Sequence, residues 1–256
     1  MKSCIYTIAR YTCLETVRNR LLVLLLVAAV SIFGLVEFIG ELAITETRQI
    51  QAAFMSFVLR FSAVLITALY VVSSVQREFN DKTINLIISL PAPRYCYYFG
   101  KLAGFSVLAL AMSVLACLPV LLYADPLQSL LWSSSLFLEL LIVIALCLFF
   151  IITLENMPLT LTAVAAFYLL SRSISTIILI GKSPLLETTD LSQHFINYVL
   201  GCIAFILPQL EQFTRTDWLV YGTGTLHHLG FAVLQALIYL VLLSAVALFD
   251  LYRKNF

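Results

Sequence analysis

Runs of about twenty apolar residues alternate with short polar stretches along this chain. The runs are 21–40, 54–76, 102–123, 130–153, 159–180 and 229–249. About 20 apolar residues carry a helix across the hydrocarbon core of a bilayer. The pattern predicts an all-α membrane protein, one transmembrane domain over 1–256 with six spans. Pro119 is placed to bend the end of span three, and Asp125-Pro126 reads as a turn. Glu155, Asn156 and Pro158 leave room only for a tight turn between spans four and five.

Two segments fall outside that alternation. In 1–20, Ile5, Ile8, Thr12, Leu14, Val17 and Leu21 recur at helical spacing, with Lys2, Arg10, Glu15, Arg18, Asn19 and Arg20 largely on other faces. This reads as an amphipathic helix in the membrane surface, facing anionic lipid, or as a helical extension of span one. Charges throughout the segment argue against a cleaved signal peptide, so span one is expected to be retained. In 181–228, the apolar run Phe195 to Leu207 is too short to cross, and Pro208 ends it. One or two short re-entrant or interfacial helices are expected there. A seventh span is the alternative, and would move the C-terminus to the other side.

The loop 77–101 is charged and punctuated by proline. Thr83 stands where an N-cap would, Asp81 suits a positive helix end, and Pro91 and Pro93 end any helix begun there. A short helix, Ile84 to Leu90, is expected between two membrane anchors. It is suited to touching a partner.

Composition agrees with the pattern. The 256 residues are 62% hydrophobic and 11% charged, against about 45–50% and 25% in soluble domains. The net charge of +1 is uninformative, but its distribution is not. Lys2, Arg10, Arg18, Arg20, Arg77, Lys82, Arg94, Lys101, Arg253 and Lys254 fall on one side of a six-span layout. Arg48, Lys182 and Arg215 fall on the other. Ten against three places both termini and loop 77–101 in the cytosol. Six cysteines are scattered between the cytosolic side, span interiors and the outer face, with no metal-ligand spacing, so they read as small apolar residues.

Candidate chemistry is sparse. Gly181-Lys182-Ser183 lacks the preceding glycine of a phosphate-binding loop, since Thr176 stands there. ATP hydrolysis, if used, belongs to another polypeptide. Glu37, Arg60, Glu139 and Arg172 lie within spans, where a charge costs about 2.5–3.5 kcal/mol on insertion scales and so faces protein or water. Matching depths predict the pairs Glu37–Arg60 and Glu139–Arg172. These serve packing, or they line a path. Thr162, Ser171, Ser173, Ser175 and Thr176 give span five a polar side, for helix packing or for a conduit. Adjacent His227 and His228 point to different faces and do not suggest a metal site. Tyr95, Tyr97, Tyr98 and Phe99 suit an interfacial belt. No catalytic residue, metal site or nucleic-acid partner is expected.

The central loop resembles that of ABC-2 type transporter permeases, approximately R-E-x-x-G-T-x-x-x-L-L-x-x-P-x-S-R followed by G-K. Arg77, Glu78, Thr83, Leu86, Ile87, Leu90, Pro91, Arg94, Gly100 and Lys101 keep that order, with Lys82 for the glycine and Pro93 for the serine. The resemblance implies a permease subunit in a bacterial inner membrane, a type V exporter-like fold and re-entrant outer helices. It also implies export of a substrate and spans two and five lining the path. The expected partners are a second permease copy and two ATPase subunits that hold ATP and magnesium. Those ATPases would dock on a coupling helix. Glu78 and Arg94 would anchor it by charge, with Ile84, Ile87 and Ile88 supplying apolar contact. Arg77, Thr83 and Pro91 complete the motif. A membrane anchor that scaffolds a complex without transport is the alternative, and an intramembrane enzyme would need a catalytic pair not found here. The cargo is unreadable; lipid-linked, amphipathic or peptide cargo suits the few buried polar groups better than a bare ion.

Overall fold

The computed structural model describes residues 2–18, 27, 30, 31, 33–37, 47–81, 93–181, 200, 201 and 207–253. Among the described residues, helix is the only regular structure. The helices are α1 (Lys2–Arg18), α2 (Thr47–Asn80), α3 (Tyr95–Val120), α4 (Pro126–Leu154), α5 (Met157–Gly181), α6 (Thr216–Tyr221) and α7 (Leu226–Arg253). A 3₁₀ turn, Leu210–Gln212, precedes α6. Five of these helices, α2, α3, α4, α5 and α7, are long and apolar enough to cross a membrane. The chain is therefore a multi-pass helical membrane protein. Most of the expected first span, 21–40, lies outside the described residues; Phe33 to Glu37 are helical.

Helix α4 is the axis of the bundle. Ile142 to Leu148 are consecutive, and none is more than 2% exposed. A helix buried on every face must be surrounded, and α4 indeed packs on α2, α3, α5 and α7. Over Ile142 to Leu148 no side chain carries a nitrogen or oxygen, so all those neighbours can meet it without stranding one; nearer its start, Ser129 Oγ and Trp132 Nε1 are buried with no partner among the described residues. Glu155 ends α4 in the left-handed conformation (φ 51°), its N–H donating to Ile151 O at 3.1 Å. Such a C-terminal cap reverses the chain at once, and α5 starts at Met157.

The central loop is shorter than its charge pattern suggests. Arg77 to Asn80 continue α2, and Tyr95 to Lys101 already belong to α3. Likewise α2 begins at Thr47, inside the polar stretch expected to be a loop. Thr47 to Gln51, Arg77 to Asn80 and Tyr95 to Phe99 hold no proline or glycine, and charge alone does not break a helix. Pro93 marks the real boundary, just before the Arg94 N-cap of α3. The stretch 82–92, with the expected helix Ile84 to Leu90, lies outside the described residues.

Helix α1 is no bare surface helix: it is docked on α3. Gly100 and Gly104 form a Gly-x-x-x-Gly stripe, and a Cβ at either would sit 2.7 Å from Ile8 Cβ or 2.5 Å from Thr12 Cβ. Small residues four apart let helices approach this closely. Thr12 and Thr16 are buried in the contact, and Tyr70 of α2 donates from its hydroxyl to Thr16 Oγ1 at 3.2 Å. Tyr6, Arg10, Tyr11 and Leu14 remain exposed, a face of the mixed kind that suits a membrane boundary. The thiols of Cys13, Cys117 and Cys147 are in no disulfide among the described residues.

Candidate functional site

Two polar clusters are built into this apolar bundle, one at each end. The first lies at the end that carries the 3₁₀ turn and α6, here the loop end. Glu139 on α4 is fully buried. Its Oε1 accepts from Tyr168 Oη of α5 at 2.7 Å, and its Oε2 accepts from Thr214 Oγ1 at 2.6 Å. Arg172, one turn beyond Tyr168 on α5, brings Nη1 to 3.4 Å from Glu139 Oε1. The same Nη1 donates to Leu210 O at 2.8 Å and lies 3.4 Å from both Phe213 O and Thr214 Oγ1.

Thr214 is the keystone of this cluster. It is fully buried with φ 44°, a conformation that non-glycine residues rarely hold. Its N–H donates to Ser135 Oγ of α4 at 3.1 Å, and its carbonyl accepts from Arg60 Nη1 of α2 at 3.3 Å. Three helices thus grip one loop residue. Buried polar groups need such partners, since each unpaired one costs about 1–3 kcal/mol. The cost of the left-handed backbone, about 1–3 kcal/mol, is offset by those bonds. Gln128 pins the same loop region farther along, donating from Nε2 to Gly222 O at 3.1 Å and Gly224 O at 3.2 Å.

The expected partners are therefore redistributed. Glu139 and Arg172 face one another, but Glu37 and Arg60 do not pair. Tyr123, beyond the end of α3, donates to Glu37 Oε1 at 2.5 Å. Partial burial, then the Glu37 carboxylate beside it, pushes the Tyr123 hydroxyl above the usual phenol range. Arg60 joins the Thr214 cluster, its guanidinium 5.4 Å from the Phe57 ring. Matching depth along two helices gives no information about which way each residue faces, and Arg60 faces inward. Tyr168 was findable, because four residues separate it from Arg172 on one helix face. Thr214 was not; nothing in a threonine's neighbours announces a left-handed backbone.

An apolar groove of about 310 Å³ opens between α2 and α5 beside this cluster. Phe61, Val64 and Leu65 line one wall, and Val164, Ala165 and Tyr168 the other. Tyr168 belongs to both features: its ring walls the groove, and its hydroxyl reaches Glu139.

The second cluster lies at the end where α1 packs. Glu78, near the end of α2, pairs with Lys101 Nζ of α3, and Tyr97 Oη donates to Glu78 Oε2 at 2.8 Å. The Lys101 side chain is only 4% exposed, so a partner charge is obligatory there. Ser74 Oγ donates to Glu15 Oε1 of α1 at 3.1 Å nearby. Arg94 is also engaged within the chain, its Nη1 donating to Leu251 O at 2.8 Å and Tyr252 O at 3.3 Å. A cation on the last carbonyls of a helix is favourable for its dipole. Arg77 is exposed. Thr83, Ile84, Ile87, Ile88 and Pro91 lie outside the described residues. Among the described residues no cluster of metal-binding side chains occurs. Neither the models of known protein families nor the curated proteins include a match to this chain.

Proposed function

We propose that this chain is the membrane-spanning permease subunit of an ATP-driven exporter in a bacterial inner membrane. Six spans, both termini in the cytosol and a second copy complete the transport unit, and two ATPase subunits bind the tip of the central loop. ATP and magnesium sit in those subunits; this chain carries no cofactor of its own.

One observation carries the reading. Glu78 and Lys101, the acidic and basic ends of the Arg77-to-Lys101 motif, are joined to each other across the two helices that flank the loop. The pair staples the roots of the loop, so a push on its tip moves α2 and α3 together. Glu78 accordingly serves as a staple rather than as a docking charge. Arg94 is bound to the end of α7, which adds that helix to the moving set. Docking then falls to Arg77, Thr83, Ile84, Ile87, Ile88 and Pro91, with α2 and α5 flanking the path.

The test is association with an ATPase. An ATPase with a phosphate-binding loop should be encoded beside this chain and copurify with it, and Ile87→Asp should abolish copurification while the permease stays folded. Retained association in that variant, or labelling of Asp81→Cys by an impermeant reagent outside sealed cells, overturns the proposal. Cys96 is no reporter for that experiment, because it is 1% exposed.

A further inference from the structure

The two guanidiniums of the loop-end cluster stand at one end of the groove. Helices α2 and α5 run in opposite directions, yet Arg60 precedes the groove residue Val64 by one turn, and Arg172 follows Tyr168 by one turn. Both therefore point to the same end. Both also touch Thr214, through its carbonyl and its hydroxyl.

Among the described residues the cluster holds two guanidiniums and one carboxylate, and that carboxylate is already bonded to Tyr168 and Thr214. The bonds of Arg60 to Thr214 O and of Arg172 to Glu139, Leu210, Phe213 and Thr214 all leave from Nη1, and Arg60 also bonds to the Tyr168 side chain. A guanidinium has five N–H donors in a planar fork. Among the described residues, Nε and Nη2 of Arg172 make none of these bonds, and Arg60 is only 7% exposed. A fork of this kind is matched by a phosphate or carboxylate held by two bonds. The groove below is apolar along its length and near the small end of ligand-pocket volumes.

We infer that the groove and the two arginines form one binding site for an anionic amphiphile, a membrane lipid with a phosphate headgroup. The phosphate pairs with the guanidiniums of Arg60 and Arg172, and one acyl chain lies along Phe61, Val64 and Val164. Charge complementarity selects this occupant over a neutral lipid. That the bound class is also the exported class rests on the transporter reading; the site itself does not.

The experiment uses the purified full-length chain, without any ATPase, equilibrated with phosphatidylglycerol, phosphatidylcholine or inorganic phosphate. Retained lipid is counted by native mass spectrometry. Phosphatidylglycerol should be retained in preference to phosphatidylcholine. Arg60→Gln should lower its affinity about tenfold, as for one lost charge-assisted bond. Ala165→Trp, at an exposed position of the groove wall, should lower it comparably by filling the space, and it keeps the test decisive if Arg60→Gln fails to fold. Equal retention of both lipids overturns the inference. So does phosphate alone protecting the protein to the same degree, undiminished by Ala165→Trp, which indicates a free-anion site. A dimer that Ala165→Trp breaks, with lipid retention unchanged, assigns the groove to a second copy and overturns it too. Loss of ATPase association with lipid retention intact removes the transporter reading and leaves this site standing.

Discussion

The two polar clusters solve one problem in opposite ways. At the loop end, a fully buried carboxylate is surrounded by groups from α4, α5 and a loop distant in sequence, with Arg60 of α2 on the same loop residue. At the other end, a partly exposed carboxylate meets a lysine and a tyrosine that are one turn apart on a single helix. The first depends on the whole bundle being assembled; the second needs only α2 and α3 to be adjacent. Among the described residues the first also holds two guanidiniums for one carboxylate, whereas the second pairs one carboxylate with one ammonium. A cluster that closes on itself holds helices together. One with an excess of cations among its described groups is equipped to hold something else.

The largest effect should come from the center of the first cluster. Glu139→Leu leaves two guanidiniums facing each other with no carboxylate, and breaking a buried pair from one side costs about 3–5 kcal/mol. Its apparent melting temperature in detergent should fall far more than that of Glu139→Gln, which keeps hydrogen-bonding capacity toward Tyr168 and Thr214. Equal behaviour of the two variants would show that the charge at this position is immaterial.

Gly104→Leu should come next. The side chain has no room against Thr12, and overpacking of this sort costs about 1–3 kcal/mol. Here the readout is protease access to α1, which should rise before the bundle melts. In the second cluster, Lys101→Met leaves Glu78 with Tyr97 alone. Glu78 is partly exposed and regains water, so the loss should be smaller, on the order of 1 kcal/mol. The double variant Glu78→Gln with Lys101→Met should recover part of that loss, and a cycle of melting temperatures measures the coupling.

Much of this was legible in the residues, and the failures have a common cause. Spans are long-range runs of one property, so α3, α4, α5 and α7 could be placed from hydropathy alone. The depth of a charge along a span could be counted too, and it brought Glu139 and Arg172 to the same level. Azimuth could not be counted. In lipid-facing helices nearly every face is apolar, so no stripe tells which way Arg60 or Glu37 points. The Gly100/Gly104 stripe was visible, but its partner was not, because α1 shows the docked residues Ile8 and Thr12 as an ordinary amphipathic face. Thr214 lay in a segment whose conformation is set by what surrounds it, not by its own neighbours.

The smallest predicted effect separates packing from transmission. Arg94 ties the start of α3 to the last turn of α7 through two carbonyls. Removing a cation from a partly exposed helix end costs about 0.3–1 kcal/mol, so Arg94→Gln should scarcely move the melting temperature. If the tie only caps a helix, nothing else should change. If it passes motion from the loop to α7, Arg94→Gln should leave ATPase association intact while the ends of α3 and α7 move independently. A spin-label pair at Phe99 and Tyr252, both exposed, reads this as a broadened distance distribution when nucleotide binds. An unbroadened distribution confines Arg94 to capping, and leaves Glu78 with Lys101 and Tyr97 as the link between the roots of the loop, among the described residues, that the transport reading can use.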